Sequence, residues 1–144
     1  MIALDTNLLV YAHREDAAGH VAAYRCIAAL AEGQAQWAIP WPCVHEFLAI
    51  VTHPRIYAPP TPLARALEQL EAWHESPGLV LLAESNGYWE HLRRALEKGG
   101  VAGPRVHDAR IAALCRHHGV EELWTADRDF EGFPGLRVRN PLTS

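Results

Sequence analysis

Four acidic residues of this sequence stand where a carboxylate is unusual: two directly follow apolar strands, and two lie on or beside the apolar face of a helix. They are Asp5, Glu46, Asp108 and Asp127. Carboxylates that meet in a low-dielectric cleft do not stay ionised unless basic residues, protons or metal ions balance them. Hard oxygen ligands suit Mg²⁺ or Mn²⁺, and two divalent ions would offset four negative charges. The four acids therefore predict a cation site that binds a phosphate group.

The two acids at strand ends are predicted to share one edge of a sheet. Asp5 follows the apolar run Ile2-Ala3-Leu4, and Asp127 follows a short strand predicted at residues 123–125. Parallel α/β sheets bind their ligands at the carboxyl ends of strands. Aspartate is also a favourable helix N-cap, so capping explains either residue equally well when it is taken alone.

The two helical acids differ in how strongly their positions indicate a site. The helical neighbours of Asp108 are Ile111, Ala112 and Cys115, so its carboxylate lies in an apolar stripe. The helix dipole explains an acid in the first turn, but it does not explain this choice of face. Glu46 lies at the border of the apolar face of its helix, where a solvated boundary residue is the better interpretation of that position alone. No basic residue stands at a helical spacing that would pair with either acid on the inward side.

Alternating strands and helices predict one α/β domain over residues 1–144, with a short parallel sheet flanked by helices on both faces. Strands are predicted at residues 2–4, 36–39, 79–82, 123–125 and 136–138, and helices at residues 8–13, 20–32, 42–52, 63–75, 88–98 and 108–118. Asn7 is expected to cap the first helix. The continuous apolar run at residues 79–82 predicts a strand that is buried on both faces.

Composition limits the class of protein. The 144 residues are 49% hydrophobic and 21% charged, which is typical of a folded domain. A net charge of −4 does not favour nucleic-acid binding by bulk charge, although residues 93–144 carry nine basic and seven acidic side chains. Three cysteines without close spacing argue against disulfides and zinc and favour a cytoplasmic location. No apolar run is long enough to cross a membrane, and the N-terminal residues lack the pattern of a signal peptide.

Four segments, in order and correctly spaced, resemble the motifs of PIN-domain ribonucleases, and most of all the VapC toxins of bacterial toxin–antitoxin pairs. The segments are LDTNLLVYA at Leu4–Ala12, HEF at His45–Phe47, HDARIAAL at His107–Leu114 and LWTADRDF at Leu123–Phe130. The resemblance implies a PIN fold and endonucleolytic cleavage of RNA with one or two Mg²⁺ or Mn²⁺ ions. It also implies a cognate antitoxin as inhibitor and a homodimer. The four acids carry over as the metal-binding and catalytic residues.

The resemblance extends to the residues around these acids. It implies that Thr6, Asn7 and Thr125 support the ligands, and Asp129 is expected to be a supporting or outer ligand near the fourth acid. Hydrolysis by water should leave a 5′-phosphate and a 3′-hydroxyl, and a structured RNA loop is the expected target. Four arginines are candidates for binding the RNA backbone, although exposed arginines without a ligand are common. They are Arg105, Arg110, Arg116 and Arg128.

Three other functions remain open. Asp5 could attack phosphate in an aspartate-nucleophile phosphatase, but the second Asp expected two residues later is replaced by Asn7. A metal-free ribonuclease with two catalytic histidines would leave a cyclic phosphate, and the adjacent pair is His117-His118 at a predicted helix end. A noncatalytic module that binds RNA or a protein through the same cleft is the alternative outside the enzymes.

Overall fold

The computed structural model describes residues 1–143, and its centre is a parallel sheet of short strands. In chain order the strands are β1 (Ile2–Leu4), β2 (Trp37–Pro40), β3 (Leu79–Leu82), β4 (Glu122–Trp124) and β5 (Arg137–Arg139). They lie side by side in the order β3-β2-β1-β4-β5, and every neighbouring pair is parallel. The predicted α/β class with a parallel sheet is confirmed.

Helices connect these strands and cover both faces of the sheet. They are α1 (Thr6–His13), α2 (His20–Glu32), α3 (Trp41–Val51), α4 (Leu63–His74), α5 (Tyr88–Lys98) and α6 (Val106–His117), with 3-10 turns at Gly103–Arg105 and Arg128–Phe130. The connections from β1 to β2 and from β2 to β3 run in the same direction across the sheet, and since parallel crossovers are right-handed as a rule, α1 to α4 lie on one face. The return from β3 to β4 runs in the opposite direction, so α5 and α6 lie on the other face, where they pack against each other.

The strand order places a crevice between β1 and β4. The chain leaves β1 toward β2 on one side and returns to β4 on the other, so the connections diverge at this point of the sheet. Such a switch point opens a ligand-binding crevice at the carboxyl ends of the strands. At the base of the crevice the ends of β1 and β4 are held together, because the Asp5 amide donates a hydrogen bond of 3.0 Å to the Trp124 carbonyl. Residues that follow β1 and β4 therefore meet at one place.

Two local predictions are wrong. Asp5, rather than Asn7, caps α1: its backbone is extended and its side chain accepts a hydrogen bond from the Thr6 amide, so the helix begins directly after the strand and includes Asn7. The strand β3 is not buried on both faces. It forms the edge of the sheet, where only Leu82 is fully buried and the other three residues are half-buried.

The packing of helix α3 against the core directs Glu46 toward the crevice. Its inner face buries Cys43, Val44, Phe47 and Val51, and Phe47 also packs edge-on against the ring of Trp73 in α4 at 5.3 Å between centroids. This packing fixes the rotation of the helix, because large apolar side chains stabilise the protein only when they are buried.

Within residues 1–143, no helix is both long enough and apolar enough to cross a membrane.

Candidate active site

Asp5 is the buried centre of the site. Only 5% of its surface is exposed. Its Oδ1 accepts a hydrogen bond of 2.8 Å from the Thr6 amide, and its Oδ2 accepts one of 2.7 Å from the Thr125 hydroxyl. Burial, together with the nearby charges of Glu46 and Asp127, raises the pKa of this carboxyl to about 6 against the lowering effect of these hydrogen bonds. Burial therefore destabilises the ionised carboxylate, and a nearby positive charge would stabilise it.

Thr125 joins the ends of β1 and β4. Besides donating to Asp5, its Oγ1 accepts hydrogen bonds from Asn7 Nδ2 at 3.1 Å and from the Asp127 amide at 2.9 Å. Asn7 Oδ1 in turn accepts a hydrogen bond of 3.2 Å from the Ala126 amide. These contacts set the positions of both strand-end acids, and the support of metal ligands by Asn7 and Thr125 stays a prediction.

A second group of acids lies where α6 begins and β4 ends. One carboxylate oxygen from each of Asp108, Asp127 and Asp129 lies within 4.8 Å of the other two. Ligand distances of about 2.1 to 2.5 Å around Mg²⁺ or Ca²⁺ span oxygen pairs of this separation. Partial burial, followed by the charges of Asp127 and Asp129, raises the pKa of Asp108. The three oxygens thus form a cradle that fits a hard cation.

Glu46 reaches the same crevice from α3. Its side chain is exposed, and its Oε2 accepts a hydrogen bond of 3.0 Å from the Thr6 hydroxyl. Its charge raises the pKa of both Asp5 and Asp108, so all four acids singled out in the sequence interact electrostatically. Of these four, only Asp5 is fully buried, whereas Asp108 and Asp127 are half-buried. The cleft is therefore a partly solvated one, open to a large substrate.

Arg105 is a basic neighbour of Asp108 that does not form an ion pair with it. Arg105 stands three residues before Asp108, and its charge lowers the pKa of that carboxyl against the effect of burial. The sequence reading missed this neighbour because a 3-10 turn at Gly103–Arg105 precedes α6 directly and brings Arg105 to the same side. Even so, within residues 1–143 none of the five carboxylates in the crevice forms an ion pair with a basic side chain at 4.0 Å or less.

The four candidate RNA-binding arginines have different surroundings. Arg105 donates a hydrogen bond of 2.7 Å to the Asp129 carbonyl, so it lies beside the acids. Arg110 pairs with Glu84 at 3.1 Å, which offsets its charge. Arg116 donates a hydrogen bond of 2.8 Å to the Gly135 carbonyl, and Arg128 is exposed in the turn after Asp127.

Sequence reasoning underestimated Asp129 and overlooked the environment of Cys43. Asp129 belongs to the three-oxygen cradle, and its amide also donates a hydrogen bond of 2.8 Å to Asp127 Oδ1. The signal was present as two acids separated by one residue after a strand. Cys43 is buried with its Sγ 3.7 Å from Asp5 Oδ1, and burial together with the Asp5 charge raises the pKa of the thiol well above its usual range. The thiol therefore stays protonated and donates toward the carboxylate.

Comparison with known proteins supplies independent information. The PIN domain family matches residues 2–136 of this chain. Ribonuclease VapC48 of Mycobacterium tuberculosis is 32% identical over 139 residues, which cover 96% of each chain. Ribonuclease VapC43 of the same organism is 30% identical over 142 residues, which cover 99% of this chain and 96% of the relative.

Solved structures share the fold at lower sequence identity. Mycobacterium tuberculosis VapC20, described as a sarcin-ricin loop cleaving toxin, has a TM-score of 0.69 and 18% identity over 97% of this chain and all of its own. A chain of VapBC2 from Rickettsia felis, solved with a DNA fragment from its promoter, has a TM-score of 0.66 and 22% identity over 97% of this chain and 98% of its own.

Proposed function

This chain belongs to the PIN-domain family, and we propose that it is a VapC-type endoribonuclease, the toxin of a toxin–antitoxin pair. The single observation that carries this proposal is the crevice between β1 and β4, where five carboxylates gather without an ion pair to any basic residue within residues 1–143. A site of that kind is suited to a cation and a phosphodiester rather than to an anionic cofactor alone. The ribonuclease names of relatives that match almost the whole chain support the same activity.

We further propose that Asp5, Glu46, Asp108 and Asp127, with Asp129 at the outer side, hold one or two Mg²⁺ or Mn²⁺ ions. The donor set fits, since every ligand is a carboxylate oxygen and the pKa of Asp5, about 6, calls for a nearby cation. When bound, such an ion lowers the pKa of a water molecule and offsets negative charge on the phosphoryl oxygens.

The residues of this chain have separate tasks in that reaction. The Thr6 and Thr125 hydrogen bonds hold the Asp5 carboxylate in one orientation, and the Thr6 hydroxyl does the same for Glu46. Half-exposed Asp108 and Asp127 border the open side, where an RNA strand can enter. Water, rather than the 2′-hydroxyl of the RNA, is the nucleophile, so the products carry a 5′-phosphate and a 3′-hydroxyl. A structured RNA loop is the proposed substrate, because unpaired bases are the ones that proteins read in RNA.

The test is an RNA cleavage assay with purified protein in Mn²⁺, in Mg²⁺ and in excess chelator, followed by end-group analysis. We expect cleavage only with added metal and only 5′-phosphate and 3′-hydroxyl ends. Full-rate cleavage in chelator with cyclic phosphate ends would instead support a two-histidine ribonuclease. Binding of RNA without any cleavage would support a noncatalytic module.

We also propose a cognate antitoxin, a homodimer and a cytoplasmic location. The antitoxin would fill the crevice and bring an arginine or lysine to the unpaired carboxylates, in competition with metal. Structural neighbours that come from toxin–antitoxin complexes support a protein partner. The product of an adjacent gene should inhibit cleavage, and inhibition should weaken as Mn²⁺ is raised. Tight binding that leaves cleavage unchanged would remove the inhibitory role.

Thr125→Val should reduce kcat/KM for RNA about 10- to 100-fold, which is the usual effect of losing a hydrogen bond that orients a metal ligand. The valine keeps the shape but removes the donor to Asp5 and the acceptor for Asn7 and the Asp127 amide. Thr125→Ser keeps the hydroxyl and should stay close to the wild-type rate. The check is the metal concentration that gives half-maximal cleavage, which should rise for the valine variant alone; equal values for both variants would contradict this role.

A further inference from the structure

A groove of about 440 Å³ runs between α5, α6 and the loop at residues 133–135, and none of the site acids lines it. Its floor contains Ala95, Ala112 and the ring of Phe133, all of which are buried. Long basic side chains form its walls: Arg94 and Lys98 from α5 and Arg116 from α6. We call this surface the basic groove; of its three cationic wall residues, only Arg116 was singled out from the sequence, as a candidate for binding the RNA backbone.

The basic groove carries more positive than negative charge. Four basic and two acidic side chains line it, and the two acids, Glu90 and Glu97, pair with Arg93 at 3.2 Å and 3.8 Å. Across residues 1–143, by contrast, Arg94, Lys98 and Arg116 form no ion pair. The groove thus concentrates cationic side chains on a protein whose net charge is −4.

The guanidinium of Arg116 is held in place by Gly135. A Cβ added to Gly135 would lie 2.8 Å from Arg116 Cζ and 2.9 Å from its Nε, so the absence of a side chain lets the guanidinium lie directly on the backbone. Gly135 has a φ of 75°, a conformation that favours glycine, and its carbonyl accepts the 2.8 Å hydrogen bond from Arg116 Nη1. A guanidinium fixed by one nitrogen still offers further donors for an anion.

The basic groove continues from the proposed active site. Ala112 lies one turn after Asp108 on α6, and Arg116 lies one turn further, about 12 Å along the axis for eight residues. On the loop side, Arg105 bridges the two regions: it donates to the Asp129 carbonyl at 2.7 Å, and its guanidinium carbon is 5.5 Å from the centre of the Phe133 ring.

We propose that the basic groove binds the sugar–phosphate backbone of RNA on one side of the bond that is cut. This inference rests on the proposed function, because a bond is cut only if the protein is a nuclease. The binding of RNA itself does not require cleavage. Phosphates are the matching partners because arginine and lysine contact them without reading the base sequence. The groove would thereby offset the repulsion between RNA and the acidic crevice.

The test uses the full chain in excess chelator and a fluorescein-labelled oligouridylate, with binding measured by anisotropy over a range of salt. The triple variant Arg94→Ala/Lys98→Ala/Arg116→Ala should bind at least about tenfold more weakly at low salt, and the slope of log K against log salt should fall by about 2. The matched control is Arg25→Ala/Arg55→Ala/Arg65→Ala, which removes three exposed charges from the α2 and α4 side. It should keep the wild-type slope.

Gly135→Ala tests the built geometry without removing a charge. The added methyl group should displace the Arg116 guanidinium and weaken RNA binding in the direction of Arg116→Ala, while circular dichroism and the unfolding temperature report whether the loop is otherwise intact. Arg116→Ala removes the same guanidinium contact with RNA but leaves Gly135, whose backbone would be strained by a side chain, unchanged.

The outcomes separate the two proposals. Cleavage by wild type in Mn²⁺ with equal RNA binding by both triple variants would overturn the basic groove and leave the nuclease proposal standing. RNA binding that depends on the groove residues, without cleavage by the wild-type protein, would overturn the nuclease proposal and leave the basic groove standing. Normal RNA binding by the groove variant with a lost affinity for the antitoxin would overturn RNA as the occupant and assign the groove to an acidic protein segment.

Discussion

Asp5→Asn is expected to reduce RNA cleavage at least about 10³-fold, since each factor of ten in rate is about 1.4 kcal/mol and a metal site contributes several. The asparagine keeps an oxygen for the Thr6 amide and is as good an N-cap as aspartate, so α1 should form normally. It loses the charge at the buried centre of the site. Asp5→Ala would lose the cap as well, which makes it the less clean variant.

The measurement is the initial cleavage rate at saturating Mn²⁺, with the folded fraction checked by thermal unfolding. Asp16→Asn is the matched control, because Asp16 is an exposed acid paired with Arg14 outside the crevice. It should cleave at the wild-type rate. If Asp5→Asn retained more than about a tenth of the activity, a barrier change of under about 1.4 kcal/mol, Asp5 would not be a ligand of the reaction centre.

The metal-free protein is expected to lose stability as the pH rises from about 4 to 8. The pKa of Asp5 is about 6 in the folded protein and 3.8 in the unfolded chain, so between these two pH values the folded state holds a proton that the unfolded chain has released. A group whose pKa is raised in the folded state does not change the free energy of unfolding below the lower of its two pKa values. Above the higher pKa it lowers the free energy of unfolding by the full amount. Two pKa units correspond to a penalty of about 3 kcal/mol by pH 8.

Denaturant unfolding in chelator at several pH values checks this linkage. Other acids titrate too, so the useful quantity is the stability of Asp5→Asn minus that of wild type, which should rise with pH in favour of the variant. Added Mg²⁺ or Mn²⁺ should restore wild-type stability at pH 8 and have little effect on the variant. A difference that does not change with pH would mean that Asp5 is already ionised without metal.

Sequence reasoning reached the acids that stand at the ends of regular elements. Asp5 and Asp127 were recognisable because an acid directly follows an apolar strand, and Asp108 because it interrupts an apolar helical stripe. The burial of these residues was harder to foresee. It depends on how far each one stands from the mouth of the crevice, which is why exposed Glu46 and buried Asp5 can serve the same site.

Other features required the third dimension. The edge position of β3 depends on strand order, and an apolar run of four residues is compatible with a central or an edge strand. Arg105 and Asp129 were named from the sequence, but they lie in 3-10 turns of three residues, which are too short for a periodic pattern to predict that both lie beside Asp108. The basic groove joins α5, α6 and a loop that are separated along the chain, so no local spacing marks it.

The hydrogen bond between Thr125 and Asp5 spans 120 residues of sequence. During translation, at about 5 to 20 residues per second, the first of these residues leaves the ribosome about 6 to 24 s before the second. Until β4 emerges and pairs with β1, the strand-end carboxylates have no shared crevice to enter. A nascent chain would consequently be harmless to the RNA around it, and the time needed to finish synthesis would leave an inhibitor a window in which to reach the toxin as it folds.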